Sequence, residues 1–376
     1  MVEFAQDLVR IKSLSGQEGE AIRFIQRKMI ALGYDEVTID SMGNLVGRIG
    51  NGDKTILFDS HVDTVDVRDE GDWDFPPFSG VVVDGRLHGR GSVDMKSAAA
   101  ASIYAGVLAR DRGYTAGKTV YISCTVSEED CDGENLKHLF KEMALKPDFV
   151  VICEPSNNNI ALGHKGKSQI SITTHGVSAH GAAPEKGINA VYEMAEIIQR
   201  VEKTNLELAQ GDGLRGTLVL SRISSVSASL NAVPSECELY LDRRMVPGET
   251  EAAVKQEMDQ LIQGKNATWK VGTLHRTSWT GMEIDYEPLH LAWRIDKDHE
   301  LSHACIAAYQ VTYGNEPTEY LFWDFSTNAV TPTSMGIPTI GFGPGDQKLA
   351  HMRNESCEVR QILDACRFYA AVIREI

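Results

Sequence analysis

Four largely apolar runs stand at wide intervals along the chain: Thr55–Phe58, Thr119–Val126, Phe149–Cys153 and Pro338–Phe342. Short runs of this kind predict strands buried on both faces, as in a parallel α/β sheet. Apolar residues recur at helical spacing over Glu3–Ser13, Gln17–Leu32, Ala98–Ala109, Asp298–Tyr313 and Glu358–Ile373. In the second of these, Ile22, Ile25, Met29 and Ile30 fall on or near one face. Glu36–Ile49 alternates like a strand and is broken by the turn pair Gly43-Asn44.

From about Lys167 the pattern changes. Ser168–His175, Gly216–Ile223 and Ser235–Met245 alternate like half-exposed antiparallel strands, with helices predicted over Asn189–Lys203 and Glu249–Gln263. This β-α-β-β-α-β-like order predicts a small α+β unit inserted into a larger α/β one. The expected division is 1–166 with 284–376 for the parent unit and 167–283 for the insertion.

At 376 residues the chain has room for both units. The 37 basic against 53 acidic residues, a net charge of −16, argue against a nucleic-acid or anionic-membrane partner. The first residues lack the basic and apolar regions of a signal peptide, and no run of about 18 apolar residues offers a spanning helix. The 7 cysteines are scattered and form no C-x-x-C pair. Reduced thiols in a cytoplasmic protein are therefore expected, and a metal would be held by His and carboxylates rather than thiolates.

The chemistry gathers at the strand ends, where open α/β sheets place their ligands. Asp59, Ser60, His61 and Asp63 follow the first run; Ser127, Glu128, Glu129 and Asp130 follow the second; Glu154-Pro155 follows the third. Asp94 lies where the loop Gly89–Ser97 meets a helix, the place of an N-cap, and His351 closes the loop after the last run. The glycines of Gly89–Ser97 fit neither the dinucleotide nor the P-loop spacing. An aromatic and proline-rich stretch, Trp73–Gly80, reads equally as the wall of a cleft or as a rigid surface loop. Each polar group alone has an ordinary explanation, but their recurrence at one sheet edge does not.

Taken in order, H-x-D at 61–63, G-R-G-S-x-D-M-K at 89–96, S-E-E at 127–129, E-P at 154–155 and G-F-G-P-G…H ending at 351 resemble the metallopeptidase M20 family. That family includes acetylornithine deacetylase, succinyl-diaminopimelate desuccinylase, aminoacylase and glutamate carboxypeptidase, and the match runs nearly the full length. The resemblance implies an α/β fold, a mixed, mostly parallel sheet with helices on both faces as in zinc peptidases, plus an inserted α+β lid and dimerisation domain. It implies two zinc or cobalt ions, one on His61 and Glu154, the other on Glu129 and His351, bridged by Asp94. Glu128 would be the general base acting on a metal-bridging water, with Asp63 supporting His61. His180 would reach the other subunit of a homodimer. Asn231 and Arg244 would anchor a substrate carboxylate, and Ser326, Thr327 and Asn328 would close the specificity pocket, although an Asp is common where Asn328 stands.

Glu at position 154 is similar to deacylases and carboxypeptidases, where aminopeptidases tend to carry Asp and carbamoyl amidohydrolases His. The expected activity is hydrolysis of an amide in an N-acyl amino acid or small peptide with a free carboxylate. A dipeptidase, an N-carbamoyl-amino-acid amidohydrolase and an inactive metal-binding relative are the alternatives. Such chemistry needs a nucleophile, carbonyl polarisation and a proton for the leaving nitrogen, which two cations and one carboxylate base supply together.

Overall fold

The computed structural model describes residues 1–210 and 213–376. Its main sheet runs, in spatial order, Glu36–Ile39, Leu45–Gly50, Lys118–Thr125, Lys54–His61, Phe149–Ile152, Thr339–Gly341, Ala161–His164 and Trp293–Arg294, with Leu321–Trp323 pairing Ala161–His164. The strands from Lys118–Thr125 through Thr339–Gly341 are mutually parallel, and the flanking pairs Glu36–Ile39/Leu45–Gly50 and Ala161–His164/Trp293–Arg294 are antiparallel. The sheet is thus mixed, with the parallel pattern expected at its centre. Ile56, Leu57 and Phe58 are each fully buried at successive positions, which requires cover on both faces. The alanine run Ala98–Ala101 lets the helix Lys96–Asp111 come close to the sheet, and the helix Val359–Glu375 packs against it and against Glu300–Tyr313. No helix among the described residues is long and apolar enough to cross a membrane. All 7 cysteines are buried, unpaired thiols.

The small unit is antiparallel throughout, in the order Thr217–Val226, Glu236–Met245, Gly166–His175, Ala267–Val271. The helices Ala190–Leu208 and Glu251–Ile262 pack on its apolar face, where Ile170, Ile172, Met194, Ile197, Leu239, Leu241 and Met258 form a separate core. Each helix starts on a side-chain cap: Asn189 accepts from the amide of Val191, and Thr250 from that of Ala253.

The structure moves several expected ends. The helix expected over Glu3–Ser13 stops at Arg10, because Ile11 is extended and the Ser13 hydroxyl donates to Val62 O at 2.6 Å. The first buried strand runs on to His61, so Asp59, Ser60 and His61 lie inside the ladder rather than after it. Asp59 can stay there because its carboxylate accepts from Ser123 Oγ at 2.6 Å and from Asn328 Nδ2 at 2.8 Å. The small core runs to Trp269 and takes up the chain again at Leu289, whose strand pairs with Gly166–His175. The hairpin Leu274–Thr277/Glu283–Tyr286, which the expected boundary at 283/284 divides between the two units, packs on the large core through Ile284, Tyr286 and Trp279. Trp279 lies so close to Gly43 (φ 104°) that a Cβ there would come within 2.1 Å of its indole nitrogen.

Candidate metal centre

His61 is the last residue of its strand. Its Nδ1 lies 3.0 Å from the backbone oxygen of Asp63, an atom that can only accept, so Nδ1 carries the proton. Nε2 is thereby the nitrogen turned toward the carboxylates, 2.8 Å from Asp94 Oδ1, and the one available to a metal when it carries no proton. The Asp63 carboxylate itself is 3.5 Å from Nδ1 and serves mainly another purpose. It accepts from Ser15 Oγ at 2.8 Å and from the amides of Glu128 and Glu129, each at 3.1 Å. Asp63 therefore ties the His61 strand end to the Glu128–Glu129 turn.

Asp94 is not an N-cap. The helix begins at Lys96 with Met95 at the cap position and no side-chain cap bond. Its carboxylate instead faces two imidazoles, with Oδ1 2.8 Å from His61 Nε2 and Oδ2 3.3 Å from His351 Nε2. Beyond these, Glu154 Oε1 lies 3.6 Å from His61 Nε2, and Glu129 Oε2 lies 2.9 Å from His351 Nε2. Glu128 Oε2 is 4.0 Å from His61 Nε2. The donor atoms cluster around His61 in two sets, His61 with Asp94 and Glu129 and His61 with Glu128 and Glu154, while His351 Nε2 approaches Asp94 and Glu129. His351 adopts φ 62°, an uncommon conformation for a non-glycine residue and one that turns its ring inward over Glu129.

Four carboxyl groups are buried here. Burial, and then repulsion among the carboxylates, holds Glu128 and Glu154 well above the usual range, and the same causes raise Glu129 to about 7. Burial opposes ionisation of Asp94 too, but hydrogen bonds from His351 and His61 outweigh it and hold its carboxyl well below the usual range. His351 is pushed up to about 10 by Asp94 and Glu129. Burial opposes protonation of His61, yet Asp63 and Asp94 raise it well above its ordinary value. Protons on these groups take the place that divalent cations would fill. A set of two imidazoles, one of them exposed at the cavity mouth, and four carboxylates, with no thiolate, fits hard or borderline ions such as zinc or cobalt.

A cavity of about 280 Å³ opens over this cluster, lined by Asp94, Glu128, Glu129, Glu154 and His351 on one side and by Asp132, Lys167, Arg244, Phe325, Ser326 and Gln347 on the other. Arg244 and Ser326 are thus brought to the site, the guanidinium resting on Asp242 at 2.7 Å. Thr327 and Asn328 are not. The Thr327 hydroxyl accepts from the amide of Ala329. The buried Asn328 amide donates to Asp59 and Thr125 and accepts from Gly133 N, so Asn328 is structural rather than part of the pocket wall. His180 and Asn231 lie together on the exposed side of the small unit, with Gly181 N bonded to Asn231 O at 2.6 Å, and neither lines the cavity.

Sequence reasoning missed two supporting carboxylates. Glu18 accepts from Ser127 N at 2.9 Å and Gly16 N at 3.0 Å, steadying the turn before Glu128. Glu355 accepts from Val93 N at 2.8 Å, Asp94 N at 3.1 Å and Arg90 at 2.6 Å, fixing the Asp94 loop. Glu18 lies in the turn just before the helix Gly19–Ala31, with no strand leading into it to mark it as a site residue. Glu355, only four residues after His351, could have been suspected from that spacing.

A family model described as peptidase family M20/M25/M40 matches residues 57–375. An uncharacterised protein of Escherichia coli, YgeY, is 36% identical over 376 residues, covering 99% of this chain and 93% of that protein. A succinyl-diaminopimelate desuccinylase of Cereibacter sphaeroides is 27% identical over 397 residues, covering 100% of this chain and 98% of the relative. Among solved structures, the M20 family metallo-carboxypeptidase Sso-CP2 from Sulfolobus solfataricus superposes with a TM-score of 0.77 at 17% identity, over 99% of this chain and 98% of that one.

Proposed function

Because this chain belongs to peptidase family M20/M25/M40, metal-dependent hydrolases of amide and peptide bonds, we propose that it is a two-metal amidohydrolase acting on an N-acyl amino acid or small peptide with a free carboxylate. The observation that carries this reading is Asp94 between His61 and His351, with Glu154 beyond one imidazole and Glu129 beyond the other. His61, Glu154 and Asp94 would hold one zinc or cobalt ion, and His351, Glu129 and Asp94 the other. When bound, the two ions supply an activated water and polarise the scissile carbonyl.

Glu128 is placed as the proton carrier. It sits at the cavity wall beside the ligand groups without completing the His351 group, and burial favours its protonated form after it takes a proton. It then returns that proton to the leaving nitrogen. Arg244 offers a two-pronged donor to the substrate carboxylate, which orients the amide across the metals. The small unit acts as a lid. His180 and Asn231, exposed and outside the cavity, are assigned to the site of the partner subunit in a homodimer. The buried thiols support a reducing, cytoplasmic setting.

The test is a panel of N-acetyl, N-succinyl, N-carbamoyl and dipeptide substrates on zinc- and cobalt-loaded protein. Turnover of acyl or peptidyl substrates with a free carboxylate is expected. Glu128→Gln should keep both metals and lose about 10²- to 10⁴-fold in kcat. Full activity in that variant would remove Glu128 from its role.

A further inference from the structure

The loop that carries Glu128 and Glu129 ends at Asp132, a carboxylate only 3% exposed. Its Oδ1 accepts from Lys167 Nζ at 2.8 Å and from the Tyr286 hydroxyl. Lys167 is the second residue of Gly166–His175, where the chain passes into the small unit. Tyr286 ends the hairpin that precedes the return crossing, and His290 lies on that crossing, cross-strand partner of Lys167. His290 Nε2 is 3.2 Å from the Tyr286 hydroxyl, and the two rings stack at 5.5 Å. The crossings touch backbone to backbone, since a Cβ on Gly166 would come within 2.5 Å of Ala292 N and His290 O. One carboxylate therefore grips the outgoing crossing at Lys167 and the hairpin end next to the strand Leu289–His290, a few residues from Glu128 and Glu129.

We propose that Asp132 is a positioning residue: through Lys167 and Tyr286 it locks the small unit's orientation to the Glu128–Glu129 loop and so places the Lys167–Arg244 wall over the metal centre. A turn of the small unit about its crossings must stretch the Asp132–Lys167 ion pair or the Asp132–Tyr286 hydrogen bond, both of which are shielded from water and hence strong. A displacement of the 127–132 loop is passed to the small unit by the same contacts. The effect on catalysis rests on the amidohydrolase reading above, whereas the mechanical coupling does not.

The experiment uses the full-length, metal-loaded protein with Asp132→Asn, Lys167→Met, Tyr286→Phe and the double variant Asp132→Asn/Lys167→Met. Hydrogen exchange is followed at residues 164–170 and 286–294 and, as a reference, in the strands Lys54–His61 and Phe149–Ile152. Each single change is expected to speed exchange at both crossings by about tenfold or more, with the reference strands and metal content unchanged. The double variant should go little beyond Asp132→Asn, because both changes break one contact. KM for turned-over substrates should rise more than kcat falls. Exchange at the crossings within about twofold of wild type, equal acceleration in the reference strands, or additive single effects would overturn the proposal. Should Asp132→Asn fail to fold, Tyr286→Phe and Lys167→Met decide the question alone. If no substrate of the panel is turned over, the reaction reading falls while the exchange data still decide the coupling.

Discussion

The side-chain amide of Asn328 lies 2.8 Å from Oδ2 of Asp59, beneath the strand that delivers His61 to the metal centre. Both groups are buried, and burial raises Asp59 above the usual carboxylate range while Ser123, Asn328 and Thr125 pull it back. An Asp at 328 would set a second carboxylate against this one without a cation between them. Asn328→Asp is expected to cost roughly 3 kcal/mol of stability at pH 8. The loss should be smaller at pH 5, where one of the two carboxyls can hold a proton and donate it. Denaturant melts at the two pH values check both statements; equal stability to wild type at pH 8 would contradict them.

Asp94 stands between the imidazoles of His61 and His351, so if it bridges two ions its loss should be felt at both. Asp94→Asn keeps the shape but leaves a single weak oxygen ligand. The expected result is a fall in affinity of at least about 100-fold for at least one of the two ions. Calorimetry with zinc and elemental analysis after gel filtration measure it. Retention of two tightly bound ions would exclude Asp94 as the bridge.

Stability should depend on pH with opposite sign in the metal-free and metal-loaded protein. Glu129 and Glu18 are both raised to about 7 when folded, from the ordinary 4.5, so between these values the folded chain binds more protons than the unfolded one. Stability of the metal-free protein then falls as pH rises from about 5 to 7. His351, raised to about 10, continues the fall above pH 6.5, while the buried Lys96, lowered to about 7, opposes it above pH 7. Metal binding requires the ligands deprotonated, so metal-loaded protein should gain stability across pH 5 to 7. Thermal melts with chelator or with zinc give the two curves; parallel curves would argue against cations at this cluster.

Glu18 supports the Glu128–Glu129 turn from outside the cavity. Glu18→Ala orphans the buried amides of Ser127 and Gly16 and should cost about 1–3 kcal/mol, with a loosened turn and reduced kcat. Glu18→Gln keeps the accepting oxygen and removes a charge beside Asp63, so it should equal or exceed wild-type stability at pH 8. Chemical denaturation of both variants separates the two effects, and a loss in Glu18→Gln as large as in Glu18→Ala would refute the account.

If Arg244 holds the substrate carboxylate, Arg244→Ala should raise KM by about 10- to 100-fold for carboxylate substrates, the worth of a charge-assisted hydrogen bond. Amidated analogues, which lack that charge, should show little change. Steady-state kinetics on matched acid and amide substrates tests this directly.

What the linear sequence determined follows from local physics. Buried strands in an α/β sheet must be apolar on both faces, so Thr55–Phe58, Thr119–Val126 and Phe149–Cys153 announced themselves, and polar residues directly after them marked the functional edge. The same patterning separated the alternating strands of the small unit from the continuous ones of the large sheet. Tertiary structure alone decided which carboxylate does what. Asp94 looked like a helix cap and proved to stand between two imidazoles, and Asp63 proved to serve two backbone amides as much as one histidine. Asn328, placed by its loop at the pocket, is spent on Asp59 below it, while Glu18 and Asp132 carried no pattern and Glu355 only its spacing from His351. Their roles come from hydrogen bonds between residues as many as 269 positions apart, and no periodicity along a chain records such distant partners.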